Sequence, residues 1–270
     1  MEQVLPGELI FVSSRDGNDD IYRVRADGSG LTNLTNDPGD DATSGFNEGA
    51  NFDWSPDGER IAFVSYRAGT RGIYVMNSDG SAQTAISTAH DASQPRWSPD
   101  GESVMFVSDT DGRESIYLAK ADGTGETRLH DGSAPDWSPD GESIAFVGDE
   151  GIMKMDADGS NVTTVVESRD QNFDVFWSPD GSRLLFSGYR EGDNGSLYSK
   201  IFVVNEDGSG LTGIPPNTQR RPLRRAILVT GRRLDNVSLR RGRAGALHDE
   251  RRRFERVASP GFGARRQVVT

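Results

Sequence analysis

The sequence predicts an all-β chain of repeated four-stranded antiparallel units, and three observations carry the prediction. The string Trp-Ser-Pro-Asp-Gly occurs four times, beginning at Trp54, Trp97, Trp137 and Trp177, at spacings of 43, 40 and 40 residues. Each copy is followed by a short apolar run and then by a second run that closes in Asp-Gly, at Asp79, Asp122, Asp158 and Asp207. The runs are β-branched and aromatic and too short for helices, and 32 glycines in 270 residues supply the turns between them.

An initial copy comprises Leu9-Ile10-Phe11-Val12, Ile21-Tyr22-Arg23-Val24 and the Asp27-Gly28 turn, and lacks only the Trp-Ser-Pro-Asp-Gly opening. In the four complete copies Trp ends a first strand. Pro presets φ and Gly accepts positive φ, so Ser-Pro-Asp-Gly turns tightly into the second strand, Ile61-Ala62-Phe63-Val64 and its counterparts. A polar loop leads to a third strand, as in Ile73-Tyr74-Val75-Met76, and the second Asp-Gly is a hairpin turn into a fourth. Four strands at a period of about forty residues is the pattern of a β-propeller blade. Blades are expected near 9–35, 52–88, 95–130, 135–166 and 175–213. Trp54, Trp97, Trp137 and Trp177, fixed in every complete blade, are read as packing between blades. Asp57 and Gly58, Asp100 and Gly101, Asp140 and Gly141, and Asp180 and Gly181 are read as turn residues.

Trp-Ser-Pro-Asp-Gly, then Ile-Ala-Phe, then Ile-Tyr with its Asp-Gly, then Leu-Thr as in Leu31-Thr32 and Leu211-Thr212, resembles the WD40-like PD40 repeat of TolB-type β-propellers over residues 9–213. The resemblance implies a ring of six blades closed by a strand from the opposite terminus, so about five blades of an original six are intact. It also implies an extracytoplasmic scaffold: in TolB the propeller follows a separate N-terminal domain and works in the periplasm with a peptidoglycan-associated lipoprotein. No such domain is read before residue 9, and the first residues lack the basic start and apolar core of a signal peptide.

The net charge of −12 divides sharply. Residues 1–213 carry 15 Lys and Arg against 38 Asp and Glu, whereas 214–270 carry 15 against 4, and every Trp, Tyr and Met precedes position 214. A basic arm for nucleic acid or an acidic partner is one reading of this tail. The genetic code favours another. Arg225 to Arg232 can be encoded by codons that, with the first base dropped, read Glu-Pro-Ser-Trp-Ser-Pro-Asp-Gly, and Leu247 to Val257 can likewise give Tyr-Thr-Met-Ser-Ala-Asp-Gly-Ser-Asn-Val-Ser. The shifted Trp and Asp codons fall 24 residues apart, against 25, 25, 21 and 30 in the intact copies. Residues 214–270 are therefore expected to be a disordered, frame-shifted remnant of the sixth blade.

If Trp ends the innermost strand, the Asp-Gly turns lie on one face and the variable loops on the other, where binding specificity usually sits. Asp53, Arg96, Asp136 and Phe176, each just before its Trp, are expected at the mouth of the axial channel. With His90 and His130 they are the candidate partner-binding residues. Both histidines stand seven residues before a Trp, equivalent places on adjacent blades that would suit a shared metal or proton-transfer site. Asn47 and Asp170 hold those places elsewhere, and no metal is assigned. Asp16-Gly17-Asn18-Asp19-Asp20 opens like a calcium loop, but Ile21 stands where that loop needs Gly and Asp27 where it needs Glu, so it is read as a polar hairpin loop.

The chain has no cysteine and no Gly-x-Ser-x-Gly, His-Glu-x-x-His or Gly-Lys-Ser/Thr string, and no catalytic residue or cofactor is assigned. The expected function is a monomeric, non-enzymatic scaffold binding a protein or peptide on the loop face, without nucleic acid or membrane insertion. The alternative is the propeller of a larger enzyme, either a prolyl-oligopeptidase-type serine peptidase or a metal-dependent lyase.

Overall fold

A computed structural model of the chain describes residues 8–42, 51–109, 112–168, 172–191 and 197–214. Every regular element among them is a strand, and none is a helix long and apolar enough to cross a membrane. The arginine-rich stretch from 215 onward, Asn47 and Asp170 lie outside the described residues.

Five antiparallel sheets follow one another along the chain. The first has three strands, β1 (Glu8–Ser13), β2 (Asp20–Arg25) and β3 (Thr32–Asn33), and belongs to the copy without the Trp-Ser-Pro-Asp-Gly opening. The second runs β4 (Phe52–Trp54), β5 (Arg60–Ser65), β6 (Gly72–Asn77), β7 (Thr84–Ala85), and the third β8 (Ser93–Trp97), β9 (Ser103–Ser108), β10 (Ser115–Lys120), β11 (Thr127–Asp131). The fourth is β12 (Ser133–Trp137), β13 (Ser143–Gly148), β14 (Gly151–Asp156), β15 (Thr163–Glu167), and the fifth β16 (Asn172–Trp177), β17 (Arg183–Glu191), β18 (Leu197–Asn205), β19 (Thr212–Ile214). Strand order equals chain order in every sheet, and each Trp is the last residue of its first strand. The first strands of sheets 2 to 5 are neighbours in succession, β4 with β8, β8 with β12 and β12 with β16, so these sheets stack face to face as propeller blades do.

Alternation along the second strand explains the stacking, because successive side chains point to opposite faces. In blade 2, Ile61 and Phe63 pack towards blade 1 with Ile21 and Leu34, whereas Ala62 and Val64 pack towards blade 3 with Trp97, Val104 and Phe106. Met105 and Ile116 meet Ile144 and Phe146 between blades 3 and 4, and Ala145, Ile152 and Val166 meet Trp177, Leu184 and Phe186 between blades 4 and 5. The four phenylalanines of the series, Phe63, Phe106, Phe146 and Phe186, are fully buried, each stabilising by roughly 1.5–3 kcal/mol. Trp97 and Trp177 are buried, and Trp54 and Trp137 half-buried, at the same junctions.

Both repeated turns also join neighbouring blades. Pro56 packs over Gly101, Pro99 over Gly141 and Pro139 over Gly181, so that a Cβ on those glycines would stand 3.5, 3.6 and 3.8 Å from the proline ring. The second Asp-Gly turn docks on the outer edge of the preceding blade. A Cβ at Gly80 would lie 2.6 Å from the Leu34 carbonyl oxygen and one at Gly208 2.6 Å from that of Val165, so glycine there permits contact as well as the turn.

Candidate functional site

The inner rim of the blades is built from a repeated irregularity. The first strand is bulged in blades 3, 4 and 5, with register shifts between Ser93 and Arg96, Ser133 and Asp136, and Asn172 and Asp174. Gln94 and Ala134, at corresponding places, have φ of +55° and +49°. Such a bulge bends the strand and re-aims its side chains. Three residues before Trp54, Trp97 and Trp137 the rim is bridged: Asn51 Oδ1 accepts from Gln94 N–H at 3.3 Å, and Gln94 Oε1 accepts from Ala134 N–H at 3.1 Å.

The four residues expected at the channel mouth divide into two kinds. Asp53 Oδ2 accepts the Trp97 backbone N–H at 2.9 Å while the Asp53 carbonyl accepts the indole N–H at 3.2 Å. Asp136 Oδ2 accepts the Trp177 backbone N–H at 2.8 Å. These aspartates fasten one blade to the next. Arg96 and Phe176 instead line a small open cleft, with Gln94, Ala134, Pro135, Asp174 and Val175, where blades 3, 4 and 5 meet at the rim. One guanidinium N–H of Arg96 is donated to the Pro95 carbonyl at 3.2 Å.

The two histidines are not equivalent. His90 is exposed in a loop, and its carbonyl accepts from Ser108 Oγ at 2.6 Å. His130, expected in a loop, lies in β11, half-buried with its ring 5.2 Å from Phe146 and Nδ1 2.7 Å from the Asp131 carbonyl. The reason is Gly132: at φ +152° it passes β11 directly into β12, and a Cβ there would stand 2.7 Å from the Phe146 ring. Among the described residues no group of three or more His, Asp or Glu side chains is placed to hold a metal.

The repeated acidic side chains are engaged by their own turns. Asp57, Asp100, Asp140 and Asp180 each accept the hydroxyl of the Ser two residues earlier and the backbone N–H two residues later. These bonds, the serine's first, hold the carboxyls below the usual range, that of Asp180 at about 2. In the Asp16–Asp20 hairpin, Asp20 accepts from Thr35 and Asn33 at 2.9 Å each, and Tyr22 donates to Asp16 at 2.5 Å. Burial, and then that bond, push the Tyr22 hydroxyl up to about 12.

A buried ion pair between blades 1 and 2 escaped the sequence. Asp41, fully buried, takes both oxygens to Arg67 Nη2 at 3.1 Å; the same guanidinium reaches Ser65 Oγ and Gln83 Oε1 and lies over the rings of Phe63 and Tyr74. Burial raises the Asp41 carboxyl, opposed by Ser65, Arg67 and Thr35. The sequence signal is slight: Arg67 follows Ser65 by two residues, but so does Arg15 follow Ser13 in blade 1, where it likewise lies over Phe11 and Tyr22.

Fold and rim together define a β-propeller of short repeated blades. The profile of the TolB beta propeller domain, PD40, matches residues 44–150. A TolB homologue from Chlorobium luteolum is 35% identical over 74 residues, 27% of this chain and 15% of that protein, so the match spans a small part of the curated relative's length. The structure of a putative TolB from Agrobacterium tumefaciens superposes with a TM-score of 0.59 at 24% identity, covering 77% of this chain and 76% of that one. A puromycin hydrolase superposes equally, TM-score 0.59 at 19% identity, over 77% of this chain and 38% of that chain. Likeness at this identity concerns the fold, which enzymes and TolB proteins share.

Proposed function

We propose that the chain is a non-enzymatic protein-binding scaffold whose partner docks at the inner-rim cleft and the loops around it. The observation that carries this reading is the division at the rim: Asp53 and Asp136 are consumed in fastening blades, while Arg96 and Phe176 stand in an open cleft on a rigid frame. Charged and aromatic side chains on such a frame are what interfaces use. The carboxylates of the repeated turns, bound to serine hydroxyls and backbone N–H groups, are arranged for folding rather than for proton transfer. The test is capture from a cell-envelope extract: the Arg96→Glu chain, folded by circular dichroism, should lose a protein that the unaltered chain retains. Equal retention by both would refute the reading.

The partial coverage of the puromycin hydrolase supports a second reading, the propeller portion of a larger hydrolase. A Gly-x-Ser-x-Gly string in the same open reading frame downstream would favour it.

We further infer that residues 214–270 are frame-shifted and that a sixth blade belongs against blade 1. Leu9 is 53% exposed, whereas its counterparts Ile61, Val104, Ile144 and Leu184 are at 0%, each covered by the blade before it.

A further inference from the structure

Comparison of the blade junctions exposes a substitution with chemical consequences. At the junctions of blades 2 with 3 and 4 with 5, the residue before one Trp is an aspartate whose carboxylate receives the next Trp's backbone N–H. At the junction of blades 3 with 4 that residue is Arg96. Trp137 N–H is turned to the same inner edge as its counterparts, because the next amide, Ser138 N–H, is the one that donates across the sheet to Ser143. It meets no acceptor among the described residues. The indole N–H groups of Trp137 and Trp177 are both buried without an acceptor among the described residues, so it is the backbone N–H that sets this junction apart.

A Trp N–H whose carboxylate acceptor is replaced in sequence by an arginine is a costly arrangement in a protein, since donor and guanidinium each call for an anion and neither can supply it. The guanidinium gives one N–H to Pro95 and, among the described residues, keeps four others, and it lines the rim cleft. We propose that this junction is a carboxylate-binding site, in which Arg96 and Trp137 N–H take a carboxylate from a peptide partner where Asp53 and Asp136 supply one internally elsewhere. The proposal rests on the scaffold reading and names the chemistry that the scaffold recognises. A single carboxylate fits better than a phosphate, because the equivalent places are each occupied by one aspartate. Phe176 beside it offers a ring to the partner's apolar portion. The fold keeps the Gln94–Ala134 bridge at this junction but, alone of the three, forgoes the carboxylate on the Trp N–H, which is what a place reserved for a ligand would require.

The test follows the Trp137 backbone amide by ¹H–¹⁵N NMR in the full chain. Three peptides serve as probes: acetyl-Gly-Gly-Phe with a free carboxyl end, acetyl-Gly-Asp-Gly-amide with a side-chain carboxylate, and acetyl-Gly-Gly-Phe-amide with neither. A saturable shift with one or both carboxylate peptides and none with the amide is expected, and which of the two binds tells a chain terminus from a side chain. Arg96→Gln should weaken binding by about tenfold or more. Arg96→Asp should abolish binding and raise the melting temperature, because the new carboxylate takes Trp137 N–H as Asp53 takes that of Trp97. A Trp137 resonance unmoved by either acid, or an Arg96→Asp chain that binds as before, would overturn the proposal. If the acids leave Trp137 unmoved while Arg96→Glu still loses the captured protein, the carboxylate site fails and the scaffold stands. If the acids bind and capture is unaffected by Arg96→Glu, the scaffold fails and the site stands.

Discussion

Asp53 holds Trp97 at two points, its carboxylate on the backbone N–H at 2.9 Å and its carbonyl on the indole N–H at 3.2 Å, across the junction of two blades. A charge-assisted hydrogen bond of this kind contributes about 1.5–3 kcal/mol. Asp53→Ala should lose that amount in urea unfolding, and Asp53→Asn, which keeps an uncharged acceptor, should lose less.

The acid limb of stability is set by the turns. Asp57, Asp100, Asp140 and Asp180 have native pKa values below their ordinary ones, so the stability they add is complete above about pH 4 and is lost as pH falls through the depressed values, for Asp180 about 2. Asp41 has the opposite sign: burial raises it, so its share is lost as pH rises from the ordinary carboxyl value to the raised one. Carboxyl carbon NMR should show Asp180 titrating near 2, and Ser178→Ala should return it towards 3.8.

Arg67→Ala would strand Asp41 in the interior and should cost about 3–5 kcal/mol in denaturant unfolding. Replacing both, Asp41→Asn with Arg67→Met, should cost clearly less than the arginine change alone, because no unpaired charge is left behind. Equal losses would show that packing of the Arg67 stem on Phe63 and Tyr74 dominates instead.

Two glycines with positive φ separate turn strain from crowding. Gly58, at φ +74°, has nothing within 4 Å of an added Cβ, so Gly58→Ala should cost about 1–2 kcal/mol from backbone strain alone. Gly80, at φ +88°, would thrust its Cβ to 2.6 Å from Leu34 O, so Gly80→Ala should cost appreciably more, read as a lower melting temperature than that of Gly58→Ala.

Genomic DNA across codons 205–270 should show the Trp-Ser-Pro-Asp-Gly codons over positions 228–232 in the adjacent frame. A chain with that frame restored should bury Leu9, measurable as slowed hydrogen exchange in Glu8–Ser13. DNA lacking those codons would sink the frame-shift reading.

The blades were legible because their signals are local and repeated: Trp, Pro and Gly at fixed offsets fix strand ends and turns without reference to anything distant. Asp53, Arg96, Asp136 and Phe176 share one offset before each Trp, and that shared place is as much as the sequence could say of them. Their different roles were not legible, since whether a carboxylate meets an N–H depends on where the next blade sits. His130 was misplaced because Gly132 removes a loop that spacing alone implied. Asp41 and Arg67 stand 26 residues apart with no periodic relation, and only tertiary packing makes them partners.

Pro56 over Gly101, Pro99 over Gly141 and Pro139 over Gly181 are one step taken three times. A molecule assembled by repeating a single step gains its cohesion in increments, each owed to nearest neighbours. Damage at one end should therefore fray inward sheet by sheet, leaving the middle standing after the margins have melted.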